Sequence, residues 1–169
     1  MWSSHSCWKE VVTSSAVTCS TSARLGIASG TVYPVQVVVA KSGHLEVYGV
    51  ALKDCKLSLL LRVPFFGQIF DVRAFKPSGR EMDAILVSTE DSRLSVLEYD
   101  PRKDDFVTIS LHTFEECQLA SGRFNERFIP TLAIDPENRC AAVVSSHSSI
   151  GLLPMDLLMT PKQEPGAKG

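Results

Sequence analysis

The chain of 169 residues lacks any apolar run long enough to cross a membrane as a helix. Such a span needs about 20 predominantly apolar residues. The best stretch, 57–70, is broken by Arg62, Pro64, Gly67 and Gln68. A secretory leader is not expected either, because His5, Lys9 and Glu10 interrupt the N-terminus before an apolar region can form. Both absences predict a protein inside the cell and off the membrane. The 5 cysteines, Cys7, Cys19, Cys55, Cys117 and Cys140, are odd in number and widely scattered, with no Cys-x-x-Cys and no Cys/His cluster. That excludes a disulfide framework and a structural zinc site, and leaves reduced, mostly buried thiols as the expectation. A surplus of positive charge is missing: 17 Lys and Arg face 19 Asp and Glu, for a net charge of −2. A general electrostatic grip on nucleic acid is thereby excluded. Only a local basic face could form, drawn from Lys53, Lys56, Arg62, Arg73, Lys76 and Arg80.

Chemical signatures are equally sparse. Gly26-Ile-Ala-Ser-Gly30 has neither the third glycine of a dinucleotide turn nor the Gly-Lys-Ser/Thr of a phosphate loop. It reads as a Ser/Gly segment, and no cofactor is expected. No Gly-x-Ser-x-Gly elbow activates a serine. His5, His44, His112 and His147 lie far apart, with no carboxylate or thiol at ligand spacing. His44 and His147 fall in hairpin turns, where local hydrogen bonds or solvent are expected. Glu90, Asp91, Glu98, Asp100, Asp104, Asp105, Glu115 and Glu116 concentrate in turns, where solvation keeps a carboxyl ordinary; a raised pKa needs burial. Phe65 and Phe66, between Pro64 and Gly67, cannot both face one core. With Phe75 they are the candidates for an aromatic offered to a partner, set against a bend in a core strand. The sequence therefore assigns no catalytic, cofactor-binding or metal-binding residue and no small-molecule substrate. It predicts a non-enzyme whose partner-binding residues are unknown.

What the chain does have is one pattern written three times. Val37-Val-Val-Ala-Lys-Ser-Gly-His-Leu-Glu-Val-Tyr48, Ile85-Leu-Val-Ser-Thr-Glu-Asp-Ser-Arg-Leu-Ser-Val-Leu-Glu-Tyr99 and Ala141-Ala-Val-Val-Ser-Ser-His-Ser-Ser-Ile-Gly-Leu-Leu-Pro154 each run apolar, turn, then alternating apolar. That is the writing of a β-hairpin. From Leu45 to Leu94 to Ile150 the steps are 49 and 56 residues. Hairpins at roughly 40–50 residues predict WD40-like propeller blades, which must stack to bury their faces.

The predicted organisation is all-β. Residues 1–33 are rich in Ser and Thr and read as a weakly ordered segment, with Val11-Val12 and Ala16-Val17 as faint strand starts. Residues 34–156 carry the partial propeller. Val35–Ala40 is a continuous apolar run, as in a strand covered on both faces. Leu45, Val47 and Gly49 alternate against His44, Glu46 and Tyr48, as in a half-buried strand. Further strands are predicted at Leu57–Val63, Phe106–Leu111 and Phe128–Ile134, and a helical turn at Phe114–Leu119. Residues 157–169 form an expected disordered tail. This is room for two to three blades, whereas closed rings need about four or more. The ring is therefore expected to be unfinished, the chain a fragment of something larger, and its open edges a source of marginal stability and aggregation.

Leu94-Ser-Val-Leu-Glu-Tyr-Asp-Pro101, Ile109-Ser-Leu-His-Thr-Phe-Glu-Glu116 and Ile134-Asp-Pro-Glu-Asn-Arg-Cys-Ala-Ala142 resemble the first β-propeller of the large subunit of the cleavage and polyadenylation specificity factor. Phe65-Phe-Gly67 and the strand Asp83–Ser88 fit the same region, and the likeness runs over about 35–155. The large damaged-DNA-binding subunit that adapts cullin ubiquitin ligases, and a spliceosomal relative, are sister families. The resemblance implies a nuclear scaffold for pre-mRNA 3′-end processing that holds a WD-repeat subunit and a zinc-finger subunit, touches RNA mainly through them, and has no catalytic residue in this region.

Overall fold

A computed structural model describes residues 17–27, 33–51, 56–89, 93–113, 131–146 and 149–160. Within them the chain folds into three antiparallel sheets, each a meander of sequential neighbours. The first holds β1 (Val17–Ala23), β2 (Gln36–Lys41), β3 (His44–Ala51) and β4 (Lys56–Pro64). The second holds β5 (Ile69–Phe75), β6 (Ala84–Thr89), β7 (Arg93–Asp100) and β8 (Asp105–Thr113). The third holds β9 (Thr131–Ile134), β10 (Cys140–Ser146) and β11 (Ser149–Pro154), followed by one helical turn, α1 (Met155–Leu158). All three predicted hairpins are present, as β2–β3, β6–β7 and β10–β11. The repeat extends to a defect in the ladder. The β3–β4 register slips between Val47 and Tyr48, and the β7–β8 register slips at the corresponding place, between Val96 and Leu97. A bulge raises the local twist, so both sheets twist alike and can stack.

The stack has two cores. Val38, Ala40, Leu45 and Val47 of the first sheet meet Ile69, Val72, Ile85, Val87 and Leu97 of the second. On the far side of the second sheet, Phe75, Ala84, Leu86, Leu94 and Val96 meet Leu132, Ala141, Val143 and Leu153, with Met155 and Leu158 of α1 added. Every residue of β6 is consequently buried. The first strands of the sheets, β1, β5 and β9, lie beside one another, as blades do about a common axis. This is a partial β-propeller.

Polar staples tie the sheets together. Ala74 N–H donates to Thr21 Oγ1 at 3.3 Å. The backbone N–H groups of Arg24 and Asp83 form a reciprocal clamp, each donating at 2.8 Å to the other residue. Between the second and third sheets, Asp71 Oδ2 accepts Leu132 N–H at 2.9 Å and Arg73 Nη2 at 3.2 Å, while Arg73 Nε donates to Leu132 O at 3.1 Å. Lys76 N–H adds a bond to Asn138 Oδ1 at 3.2 Å.

Several expectations change. Val17–Ala23, inside the stretch read as weakly ordered, forms β1 and pairs along β2 from Lys41 to Gln36. Its Val and Thr residues suit a strand, but the inward Cys19, Thr21 and Ala23 carry too little apolar signal for an alternation to be read. Beyond it Leu25 and Ile27 enter the first core. Val35–Ala40 is not the doubly covered strand: Val37 and Val39 stay half-buried on the free face, and β6 takes that place between two sheets. Conversely β3 is not half-buried, because Glu46 is as deeply buried as Leu45 and Val47 and Tyr48 is buried as well. Gly49 lets Tyr33 lie against the strand; a Cβ there would fall 2.5 Å from the ring. α1 straddles the boundary expected at 156–157, with Leu158 fully buried. The helical turn at Phe114–Leu119 and the Phe128–Pro130 part of the predicted strand lie outside the described residues.

Candidate interaction surface

The side chains with the strongest electrostatic organisation sit at one end of the first sheet, on the face turned away from the second. His44, Glu46 and Tyr48 share that face of β3, because a strand alternates sides. Register brings Lys41 opposite His44, and Arg62 opposite Glu46. Glu46 is fully buried and its carboxylate is saturated. Oε1 accepts Arg62 Nε at 2.9 Å and Arg62 Nη2 at 2.7 Å, with His44 Nε2 at 3.3 Å. Oε2 accepts Tyr48 Oη at 2.7 Å and pairs with Lys41 Nζ at 2.7 Å. Burial alone would raise this acid's pKa; the hydrogen bonds from Lys41, Tyr48 and Arg62 outweigh it and hold the group down at about 2. Burial and the Glu46 charge in turn push the Tyr48 phenol up. The result is a carboxylate held ionised at neutral pH, locking β2, β3 and β4 together next to two short loops. Phe65 N–H donates to Gly43 O at 2.9 Å, and Ile69 N–H to Ser42 O at 3.2 Å, so the same lock fixes the β4–β5 turn. Gly67, at φ 93, permits that turn's reversal.

One repeat later the same strand positions carry different chemistry. Where β3 and β4 have His44, Glu46, Tyr48 and Arg62, β7 and β8 have Arg93, Ser95, Leu97 and Leu111. That face of the second sheet is partly roofed by Val63, Pro64, Phe65 and Phe66. A groove of about 400 Å³ runs between them, with Thr89, Asp105, Phe106 and Thr108 completing the wall. Phe65 packs against the first core, whereas Phe66 is fully exposed at the groove's lip. Phe75 lies buried in the second core. Of the three aromatics read as candidates, Phe66 alone is offered outward.

The other candidates are structural. His44 serves the Glu46 lock, and His112, buried in β8, contacts Ser110 Oγ at 3.2 Å, whose hydroxyl donates to Leu158 O. His5 and His147 lie outside the described residues, as do Glu90, Asp91, Glu115 and Glu116. The remaining turn carboxylates cap their turns: Asp100 accepts Arg102 N–H at 2.9 Å, Asp104 accepts Tyr99 Oη at 2.7 Å, and Asp105 accepts Phe106 N–H at 2.7 Å. Burial and the Asp104 bond push Tyr99 up to about 12. Glu98 pairs with Arg80 at 3.3 Å. Cys19 and Cys140 are half-buried, less than expected, and Cys7, Cys55 and Cys117 lie outside the described residues. Burial, then the charge of Asp71, push the Cys19 thiol up, so it is a poor nucleophile. Among the described residues no group of three His, Cys, Asp or Glu could hold a metal ion. The surface can bind, by apolar contact and by ion pairing.

Sequence reading missed Glu46 because its partners come from three strands. The signal was present in the His44-x-Glu46-x-Tyr48 alternation, which puts three polar groups on one face, but only the β2–β3 and β3–β4 registers name Lys41 and Arg62.

Comparison with known proteins agrees with the fold. The chain is 33% identical over 99 residues to cleavage and polyadenylation specificity factor subunit 1 of Drosophila melanogaster, covering 59% of this chain and 7% of that protein. It is 36% identical over 78 residues to the probable cleavage and polyadenylation specificity factor subunit 1 of Caenorhabditis elegans, 46% of this chain and 5% of that protein. It is 29% identical over 112 residues to the pre-mRNA-splicing factor prp12 of Schizosaccharomyces pombe, 65% of this chain and 9% of that protein. The chain thus matches less than a tenth of each relative's length. The sequence model of the RSE1/DDB1/CPSF1 first beta-propeller matches residues 33–164, a span that contains ten of the eleven strands, and the chain belongs to that family.

Proposed function

We propose that this chain is a non-enzymatic, protein-binding propeller segment serving the nuclear machinery that cleaves and polyadenylates pre-mRNA. The observation that carries this reading is the likeness to two specificity-factor subunits, over 99 and 78 residues of this chain. Its physical support is a surface made for contact: a locked ion cluster, an apolar groove and an outward aromatic, with each carboxylate of the described turns that sequence singled out engaged in structure. Residues 34–156 act as the propeller unit in this reading. Partners are other subunits of the complex, in particular a WD-repeat subunit and a zinc-finger subunit, and RNA is reached through them, in keeping with the net charge of −2.

Affinity purification of the tagged full chain from nuclear extract tests the proposal. Recovery of cleavage and polyadenylation subunits, enriched over a tagged Leu86→Asp control that disrupts the core between the second and third sheets, is the expected result. Recovery of spliceosomal proteins or of a cullin without them would overturn it. The likeness to prp12 makes a splicing role the second reading, and the same experiment separates the two.

A further inference from the structure

The groove between the first and second sheets has a chemistry of its own. Its floor is β7: Arg93, Ser95 and Leu97 point the same way and span about 13 Å at roughly 3.3 Å per residue. Its walls are apolar, from Val63, Phe65 and Phe66 on one side and Phe106 and Leu111 on the other. Phe66 and Leu111 both leave large apolar area in water. A protein surface gains little by exposing a whole phenylalanine beside an apolar trough unless something covers it. The two flanking strands, β4 and β8, are the last of their sheets, and each pairs on only one side among the described residues. Among the described residues their outer backbone groups are open to an added extended chain. The charge is asymmetric along the length. Arg93 stands exposed at one end, with no carboxylate partner among the described residues, whereas Asp105 stands at the other.

We propose that this groove binds an extended peptide segment of a protein partner, with leucine-like side chains against Val63, Leu97 and Leu111 and an acidic residue on Arg93. Each feature has a matching part of the ligand. The trough takes alternate apolar side chains, the strand edges that are open among the described residues take backbone groups, and the exposed Arg93 guanidinium takes a carboxylate, which it can grip with two donors. Phe66 closes over the bound apolar side chains. Nucleic acid fits less well, because Arg93 is the one cation among the described residues of the groove's lining and Asp105 repels a phosphate chain. The inference stands whichever machinery the chain serves.

The test uses the full chain and two dye-labelled, N-acetylated probes: three leucines followed by two aspartates, and three leucines followed by two lysines. Fluorescence anisotropy should give the acidic probe a dissociation constant on the order of 10–100 μM, as for a small interface. The basic probe should bind at least about fivefold more weakly. Arg93→Glu should reverse that preference. Phe66→Ala should weaken the acidic probe by about tenfold. Lys76→Glu, an equal change of charge at an exposed site away from the groove, should alter nothing. In the unsubstituted protein, methyl NMR signals of Val63, Leu97 and Leu111 should shift on titration with the acidic probe. Equal affinity of all variants for both probes, no binding up to millimolar probe, unmoved methyl signals, or tighter binding of a single-stranded oligoribonucleotide than of the acidic probe would each overturn the proposal.

Discussion

Arg62 directs both its Nε, at 2.9 Å, and its Nη2, at 2.7 Å, to the same Oε1 atom of Glu46. The Arg62 side chain is 54% exposed and that of Glu46 is wholly buried, so the charge inside is tethered to a side chain at the surface. Lys41, only 8% exposed, approaches the opposite oxygen. Two fixed cations and one carboxylate make the lock asymmetric, and removing the carboxylate is the most damaging single change to it.

Glu46→Gln should destabilise the fold by about 3 kcal/mol, because it leaves buried Lys41 without its counter-charge and weakens the Arg62 contacts. Adding Lys41→Met should recover part of that loss by removing the stranded cation. Urea unfolding of the two variants measures both effects. Equal stability of Glu46→Gln and the parent would show that the lock adds nothing.

The same group sets an acid limb. The folded pKa of Glu46 is about 2, below its ordinary 4.5. A lowered folded pKa gives stability that is full above the unfolded value and lost as pH falls through the folded one. The contribution of Glu46 should therefore be intact above about pH 5 and fade between about pH 4.5 and 2. By linkage its size is on the order of 3 kcal/mol. Asp135, held at about 2 mainly by hydrogen bonds from Arg139, titrates in the same window. Subtracting the pH profile of Glu46→Gln from that of the parent isolates Glu46. A flat difference from pH 7 to pH 3 would contradict the assignment.

Asp71 joins the second and third sheets through Leu132 N–H and Arg73. Asp71→Ala should orphan that buried amide and cost about 2 kcal/mol. The loss should be local. Amide exchange should quicken at Leu132 and along β9–β11 while Val38 and Leu45, in the other core, stay protected. Uniform acceleration across all three sheets would mean that the stack unfolds only as one unit.

Much of this protein is written in short-range pattern. The three hairpins are legible because each apolar run and its turn lie within about 15 residues. Leu45 and Leu94, alike in sequence, are alike in place. The family resemblance sits on the same strands. β1 was hard to read because its inward residues are Cys19, Thr21 and Ala23, which carry little apolar signal even though they face a core. α1 was hidden for another reason: Met155 and Leu158 become core residues only where a neighbouring sheet receives them.

The sequence by itself determined the repeat, the all-β class, the room for two to three blades and the absence of a recognisable catalytic motif, since all four depend on residue order and composition. Tertiary structure alone decided which face of each strand is covered, and with it the fate of the polar residues. Glu46 and Ser95 hold the same place in successive repeats. Glu46 gathers Lys41, Tyr48 and Arg62 from across two strand ladders, while Ser95 floors a groove roofed by Phe65 and Phe66. Strand register and sheet stacking bring together groups far apart in the chain, and no local pattern encodes those distances.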